Sequence, residues 1–113
     1  MHEMSLAESV LGAIEEAARA QGFGGVKTVR LEIGRLAAVE LDALRFAFDV
    51  VKRGGVADGA RLDIVEVPGA AWCMRCCEVV PLSARGDACP RCGGFQMQVS
   101  AGEELRVKEL EVV

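Results

Sequence analysis

Two pairs of cysteines are the residues in this sequence whose type and spacing predict chemistry most clearly. The first pair is Cys73 and Cys76, the second is Cys89 and Cys92, and two residues separate the members of each pair. A C-x-x-C turn brings two thiolates to one side of a tight loop, so two facing loops supply four sulfurs in a tetrahedron. Zn²⁺ suits this donor set because it imposes no other geometry. We therefore predict a structural zinc site, since four cysteines leave no open position for catalysis.

The residues that follow the two pairs differ. Gly93 and Gly94 follow the second pair, where glycine can adopt the positive φ that turns backbone N–H groups towards sulfur. Cys77 follows the first pair, and we expect its side chain to be buried, with a spare ligand or an oxidation site as the alternatives. A thiol redox pair is the competing interpretation of Cys89 and Cys92. Such pairs normally lie where a strand meets a helix, whereas the glycine-rich flanks here favour loops.

Composition limits the class of protein. The 113 residues, 51% of them hydrophobic, are enough for one ordinary domain or a small domain with an insert. No apolar run approaches the roughly 20 residues of a membrane span, and the first residues do not resemble a secretory signal. We therefore expect a cytoplasmic protein with reduced thiols and no membrane partner. A net charge of −4 and 4% aromatic residues argue against a nucleic-acid partner.

Hydrophobic periodicity predicts the elements that must position the cysteines. We predict two helices and three strands, namely helices over 5–20 and 39–52 and strands over 26–33, 61–67 and 104–112. Ser5 and Glu8 fit a capping box, so we expect the first helix to begin there and residues 1–4 to form a short arm in front of it.

These elements predict an α+β fold, with two helices and a three-stranded mixed sheet plus an inserted, small zinc-ribbon-like module with a four-cysteine site. The first two strands should be parallel with a right-handed crossover, and the last strand should pair antiparallel with 61–67. We expect one domain over 1–68 and 102–113, and an inserted zinc-binding domain over 69–101. That insert is too short for a self-sufficient core, so zinc should supply its folding energy directly.

The one histidine in the chain is His2. The Met1 amine, the amides of His2 and Glu3 and the His2 imidazole are nitrogen donors within one chelating reach. Deprotonated amides favour square-planar coordination. This geometry is typical of Ni(II) or Cu(II), whereas Zn²⁺ gains no ligand-field stabilisation from it. A second, chemically distinct metal site is therefore one hypothesis for this terminus. A frayed terminus or a cloning remnant is the alternative.

Met1-His2-Glu3, a helix behind it and two C-x-x-C pairs near the C-terminus together resemble the HypA/HybF family, nickel-insertion accessory proteins for hydrogenase maturation. The resemblance covers nearly the whole chain. It implies nickel at His2 with backbone nitrogens of Met1, His2 and Glu3, and zinc at Cys73, Cys76, Cys89 and Cys92. It also implies two partners, the accessory GTPase HypB and the large subunit of NiFe-hydrogenase, with urease accessory proteins as a further set. The resemblance implies no role for Cys77.

The function that follows is a nickel metallochaperone, which binds Ni(II) and hands it on without bond-making catalysis. No Ser/His/Asp set is available when the sole histidine is residue 2, and no phosphate-binding glycine loop is present. The zinc site would be structural, with a regulatory role as an extension. The alternative is a zinc-ribbon adaptor for protein or nucleic acid whose N-terminus is inert.

Overall fold

The computed structural model describes residues 3–113. In this part of the chain it contains two α-helices, one 3-10 turn and six strands, in the order α1 (Glu3–Gln21), β1 (Val26–Gly34), the turn (Arg35–Ala37), α2 (Leu41–Val51), β2 (Arg61–Val67), β3 (Ala70–Cys73), β4 (Glu78–Pro81), β5 (Met97–Ala101) and β6 (Leu105–Val112). The strands form two three-stranded sheets, ordered β2-β1-β6 and β4-β3-β5. The chain divides into two compact units, a first unit of residues up to 31, 39–65 and 106–113, and a second unit of residues 32–38 and 66–105.

Helix α1 begins earlier than the capping box predicts. Glu3 and Met4 already lie in the helix, so the prediction that Ser5 caps it behind a four-residue arm is wrong for both of them. Glutamate and methionine are good helix formers, and a carboxylate in the first turn interacts favourably with the helix macrodipole. Met1 and His2 lie outside the described residues.

The central strand of the first sheet is β1, and the prediction that the last strand pairs with residues 61–67 is wrong. Strand β6 pairs with β1 instead. Most of β1 is buried, whereas neither β2 nor β6 contains a fully buried residue, as suits edge strands. The strand with the deepest apolar burial therefore takes the middle position, where both of its edges are hydrogen-bonded.

Polar side chains cross-link the three strands of this sheet. Arg30 on β1 donates to Asp63 of β2 at 3.2 Å and also bonds Glu109 of β6. Thr28 donates to Glu111 at 3.0 Å, so residue numbers run in opposite directions along β1 and β6, which are antiparallel. Burial alone would raise the pKa of Asp63, but hydrogen bonds and charge from Arg30 and Arg61 outweigh it and lower that pKa.

The first unit has a hydrophobic core of its own. Helices α1 and α2 pack on each other, and Ile14, Leu44 and Phe48 from the helices and Val29 from β1 are among the largest fully buried side chains. Full burial of each such side chain stabilises the fold by about 1.5–3 kcal/mol. We therefore expect the helix–sheet unit to fold without a metal.

The second unit is built on the antiparallel sheet β4-β3-β5, in which Ala71 lies opposite Val80 and Val99. Its buried residues form two small clusters, one of Leu36, Ala71 and Leu82 and one of Cys73, Val80 and Cys89. Leu36 comes from the 3-10 turn after β1, a contribution that the sequence did not predict. The predicted fold class, two helices with a three-stranded sheet and a four-cysteine module, is confirmed, while the domain boundaries at 69 and 101 stay a prediction.

Glycine backbones meet where the chain enters and leaves this module. A Cβ at Gly102 would lie 2.6 Å from the Cα of Gly69, and a Cβ at Gly34 would lie 1.8 Å from the carbonyl oxygen of Gly102. Gly102 also has a φ of 103°, which side-chain-bearing residues rarely adopt. Gly34 and Gly69 therefore require glycine for space, and Gly102 requires it for both space and conformation.

Candidate metal centre

Each C-x-x-C pair lies in a tight loop, and the two loops have the same backbone hydrogen bond. The N–H of Cys77 donates to the carbonyl of Cys73 at 2.8 Å, and the N–H of Gly93 donates to the carbonyl of Cys89 at 2.8 Å. The residue after each pair has a positive φ, 54° at Cys77 and 72° at Gly93. The two loops therefore share one geometry, although only the second has glycine at the left-handed position.

The loops bring the four predicted cysteines together. Their sulfur atoms all lie within 4.8 Å of one another. The Sγ atoms of Cys73 and Cys92 are 3.7 Å apart, and those of Cys76 and Cys89 are 3.9 Å apart. A tetrahedron with Zn–S bonds of about 2.3 Å has edges of about 3.8 Å. The observed separations therefore fit a single tetrahedral metal ion, and four-cysteine sites of this kind are typical of structural zinc.

Local hydrogen bonds and burial act differently on the individual thiols. Backbone N–H groups, first that of Cys92, outweigh burial and lower the pKa of Cys89 to about 7. Burial, reinforced by the neighbouring thiols, raises the pKa of Cys76 to about 12. Without a cation, Cys76 and Cys89 therefore do not ionise together. A divalent metal would compensate the charge of four thiolates and displace their remaining protons.

Cys77 does not belong to this cluster. Its side chain is exposed, so the prediction that it is buried is wrong. Its Sγ approaches the carbonyl oxygen of Met74 at 3.5 Å. The backbone at Cys77 is left-handed, with a φ of 54°, a conformation that spacing along the sequence does not reveal.

Two of the arginines close to the cysteines in sequence, Arg85 and Arg91, have carboxylate partners. Arg91 pairs with Glu78, and Arg85 pairs with Glu103 while its Nε donates to the carbonyl oxygen of Leu36 at 3.0 Å. Their positive charge is thus partly compensated within the second unit and is not available in full to offset a tetrathiolate centre.

The predicted second site lies at the N-terminus, where Glu3 is described and Met1 and His2 are not. The Oε2 atom of Glu3 accepts a hydrogen bond from the backbone N–H of Glu40 at 3.2 Å. Glu40 is the N-cap of α2, and its own carboxylate accepts from the N–H of Asp42 at 3.3 Å. Glu40 was not predicted as an N-cap from the sequence, because glutamate is not among the residues preferred at that position.

Residues 3–113 contain no other candidate centre of this kind. The four cysteines are the one group of potential metal ligands found there. No helix among these residues is both long enough and apolar enough to span a membrane.

Comparison with known proteins agrees with this architecture over the whole chain. A family model described as hydrogenase/urease nickel incorporation, metallochaperone, hypA matches residues 1–112. Hydrogenase maturation factor HypA of Azotobacter chroococcum mcd 1 is 59% identical over 112 residues, covering 99% of both chains. The same factor from Alkalilimnicola ehrlichii is 60% identical over 112 residues, with the same coverage.

A solved structure shows the same fold. The solution structure of the Ni metallochaperone HypA from Helicobacter pylori is 27% identical and matches with a TM-score of 0.73, covering 100% of this chain and 98% of that one. The resemblance expected from the terminal motif and the cysteine pairs is thereby confirmed. The chain belongs to the HypA family of nickel-incorporation metallochaperones, which are maturation factors and not enzymes.

Proposed function

We propose that this chain binds Ni(II) reversibly through the Met1 amine, the amides of His2 and Glu3 and the His2 imidazole, and delivers it to a NiFe-hydrogenase under maturation. The observation that carries the proposal is the match of residues 1–112 to a nickel-incorporation family. Nickel is cargo in this scheme, so the chain has to bind and release it without changing it chemically.

The position of Glu3 in α1 supports amide nitrogens as donors. The first four N–H groups of an α-helix have no acceptor within the helix. Because α1 includes Glu3 in its first turn, the Glu3 amide can lose its proton to a metal without breaking a helical hydrogen bond. The positive end of the helix macrodipole also favours a negative charge at this point.

The charge of the complex supports the same donor set. Two deprotonated amides carry a charge of −2, which balances Ni(II), while the amine and imidazole are neutral when they bind. The resulting complex has no net charge, so the positive helix end does not repel it. A nitrogen set of this kind is one that Ni(II) prefers and Zn²⁺ does not.

We further propose that Cys73, Cys76, Cys89 and Cys92 hold Zn²⁺. The sulfur separations of 3.7 and 3.9 Å support this assignment. Bound zinc would supply a closed tetrahedral cross-link and with it folding energy for the second unit, whose apolar clusters are small. We also assign the site a regulatory role, because a change in its coordination would alter the β3–β4 hairpin that contains two of its ligands.

The proposed partners follow from the family. We propose that the accessory GTPase HypB and the hydrogenase large subunit contact this chain in the cytoplasm, where its thiols stay reduced. The sequence has no phosphate-binding glycine loop of its own, so GTP hydrolysis is assigned to the partner. Urease accessory proteins are further candidates, since the family description names urease beside hydrogenase.

Nickel titration of the untagged, zinc-loaded protein tests the proposal, with the d–d absorption of Ni(II) as the readout. His2→Ala removes the imidazole donor, and we expect it to weaken nickel binding by at least about 100-fold and to change the spectrum. Glu8→Ala is the matched control, since Glu8 is an exposed carboxylate on the same helix, and its nickel affinity should equal that of the parent.

A second variant tests the terminal amine directly. Three glycines added before Met1 place the amine too far from His2 to share one set of chelate rings with its imidazole, so nickel binding should weaken as it does in His2→Ala. Three glycines added after Val113 are the control and should have no effect. Unchanged nickel affinity in His2→Ala or in the N-terminally extended chain would refute the terminal site and favour the adaptor with an inert N-terminus.

A further inference from the structure

The turn after α1 and the turn after α2 lie side by side in the first unit. Gly22 follows α1 with a φ of 76°, and its N–H donates to the carbonyl oxygen of Ala18 at 2.8 Å. The N–H of Val26, at the start of β1, donates to the carbonyl oxygen of Val56 at 3.1 Å. This hydrogen bond joins the two turns at the C-terminal end of α1.

A pocket of about 520 Å³ opens between these two turns and the C-terminal part of α1. Gly24, Gly54 and Gly55 line it, and a Cβ at Gly24 or Gly54 would meet no atom within 4 Å. Because these positions carry no side chain, the space between the turns stays open. The volume lies in the range of about 300–1,000 Å³ that is typical of small-molecule sites.

The pocket has an apolar wall and one charge of each sign. Phe23 and Val56 line it, and both are half-buried. Glu15 and Arg19 line it from α1, are exposed, and have no ion-pair partner among residues 3–113. Residues four positions apart on a helix have Cβ atoms about 5–6 Å apart. One small ligand can therefore contact both charges.

The charges favour a ligand that is itself a zwitterion. The C-terminal end of α1 has the negative end of the helix macrodipole, and Glu15 adds a full negative charge, so both oppose a simple anion. Arg19 likewise opposes a simple cation. A zwitterion satisfies both side chains, because its anionic group contacts Arg19 while its cationic group contacts Glu15.

We propose that this pocket binds a free α-amino acid with an apolar side chain. Arg19 donates to the α-carboxylate, Glu15 accepts from the α-ammonium group, and the side chain packs on Phe23 and Val56. A residue inside a peptide chain has neither charge and is not a ligand of this site. The site does not depend on the proposed nickel function, so His2→Ala should bind the amino acid as the parent does.

Titration of the zinc-loaded, isotope-labelled protein with L-phenylalanine tests the proposal. The readout is the NMR chemical shift of the Gly24 and Gly55 amides. A ligand of this size with an ordinary free energy per atom has a Kd of about 2 mM, so we expect both amides to shift and approach saturation at about 20 mM. Unchanged shifts at that concentration would overturn the proposal.

Two derivatives of the ligand test the two charges. L-Phenylalaninamide lacks the carboxylate and N-acetyl-L-phenylalanine lacks the ammonium group, and each should bind at least about tenfold more weakly than L-phenylalanine. If either derivative bound as tightly as the free amino acid, the zwitterion would not be the ligand and the proposal would fail.

Variants of the two charged residues test the same contacts from the protein side. Arg19→Gln should weaken binding of L-phenylalanine about tenfold but should not weaken binding of L-phenylalaninamide, which has no carboxylate to lose. Glu15→Gln should behave in the same way with N-acetyl-L-phenylalanine. Glu16→Gln is the matched control, since Glu16 is exposed on the same helix and does not line the pocket. Parent-like affinity for L-phenylalanine in Arg19→Gln would contradict the proposal.

Gly24→Leu and Gly59→Leu form a second matched pair that tests the pocket itself. Both glycines are exposed, neither has a positive φ, and a Cβ at either position would meet no atom within 4 Å. Only Gly24 lines the pocket, so a leucine there should occupy it and weaken binding at least about tenfold, whereas Gly59→Leu should bind as the parent does. Parent-like binding by Gly24→Leu would place the ligand elsewhere and overturn the assignment.

Nickel titration separates this inference from the proposed function. Gly24→Leu and Arg19→Gln should bind nickel as the parent does, because neither residue is a nickel donor. Failure of the nickel proposal appears in His2→Ala and in the N-terminally extended chain, and it leaves the L-phenylalanine titration unchanged.

Discussion

The two candidate metal centres of this chain differ in donor atoms and in their relation to the hydrophobic core. Two of the four cysteines, Cys73 and Cys89, are 1% and 2% exposed and belong to an apolar cluster of the second unit. The proposed nickel donors belong to the first three residues of the chain, in the unit whose core includes Phe48. A metal that contributes to folding belongs inside the core, whereas a cargo metal must be removable without disturbing it.

This contrast is tested most strongly by removing one sulfur. Cys73→Ser should abolish zinc binding and unfold residues 69–101, because the small clusters there cannot hold the module without the metal. Zinc content and circular dichroism measure the two effects, and the helical signal of α1 and α2 should persist. Cys77→Ser is the matched control and should retain zinc, since Cys77 lies outside the cluster. Global unfolding of Cys73→Ser would refute the division.

The second test removes a buried side chain from the core of the first unit. Phe48 is 1% exposed, and Phe48→Ala should lower the free energy of unfolding of the first unit by about 3–5 kcal/mol through lost burial and a cavity. Phe46 on the same helix is 70% exposed, so Phe46→Ala should change the free energy of unfolding by less than about 0.5 kcal/mol. Urea denaturation followed by helical circular dichroism gives both values. Loss of zinc from folded Phe48→Ala would show that the cysteine centre depends on this core.

Nickel affinity should depend on pH between 8 and 6. An imidazole has a pKa of about 6.5 and a terminal amine one of about 7.7–8.0, and each must be deprotonated to bind. Because the protonated forms predominate as the pH falls, we expect at least about a tenfold weakening across this range. The measurement is a set of nickel titrations at constant ionic strength. An affinity that stays flat would contradict ligation by His2 and the terminal amine.

The smallest effect concerns the two cysteine loops. Cys77 has the left-handed conformation that glycine adopts at Gly93, so Cys77→Gly should stabilise the zinc-loaded second unit by about 0.5–1 kcal/mol. Gly93→Ala introduces the corresponding strain and should destabilise it by about 1–2 kcal/mol. Denaturant midpoints at fixed zinc concentration measure both changes. Equal midpoints for the two variants would show that the loops do not share this constraint.

The cysteine cluster could be predicted from the sequence because the spacing of neighbouring cysteines determines it. Spacing determines which thiols share a loop, and the pairing of two loops is then almost forced by the tetrahedral preference of zinc. The burial of Cys77 was mispredicted because side-chain direction depends on φ, which the spacing does not contain. The start of α1 was placed too late because serine can also lie inside a helix, where Ser5 is found.

Features that depend on distant parts of the chain were predicted less well. Alternation in β1 and β6 indicates which side chains share a face, but not which strands are neighbours, and so β6 was paired wrongly. The hydrogen bond from Glu40 to Glu3 likewise joins residues with no periodic relation. Even the core of the zinc module includes Leu36, which precedes the module by more than thirty residues.

The close approach of Gly69 and Gly102 makes the four-cysteine module between them a portable segment. A Cβ at Gly102 would lie 2.6 Å from the Cα of Gly69, so the chain leaves and returns at nearly the same point. A segment whose ends meet can be grafted into a surface loop of an unrelated host without moving the ends of that loop, and its closure costs little additional chain entropy. Supplying Leu36 or an equivalent apolar contact would be the main requirement of such a transplant.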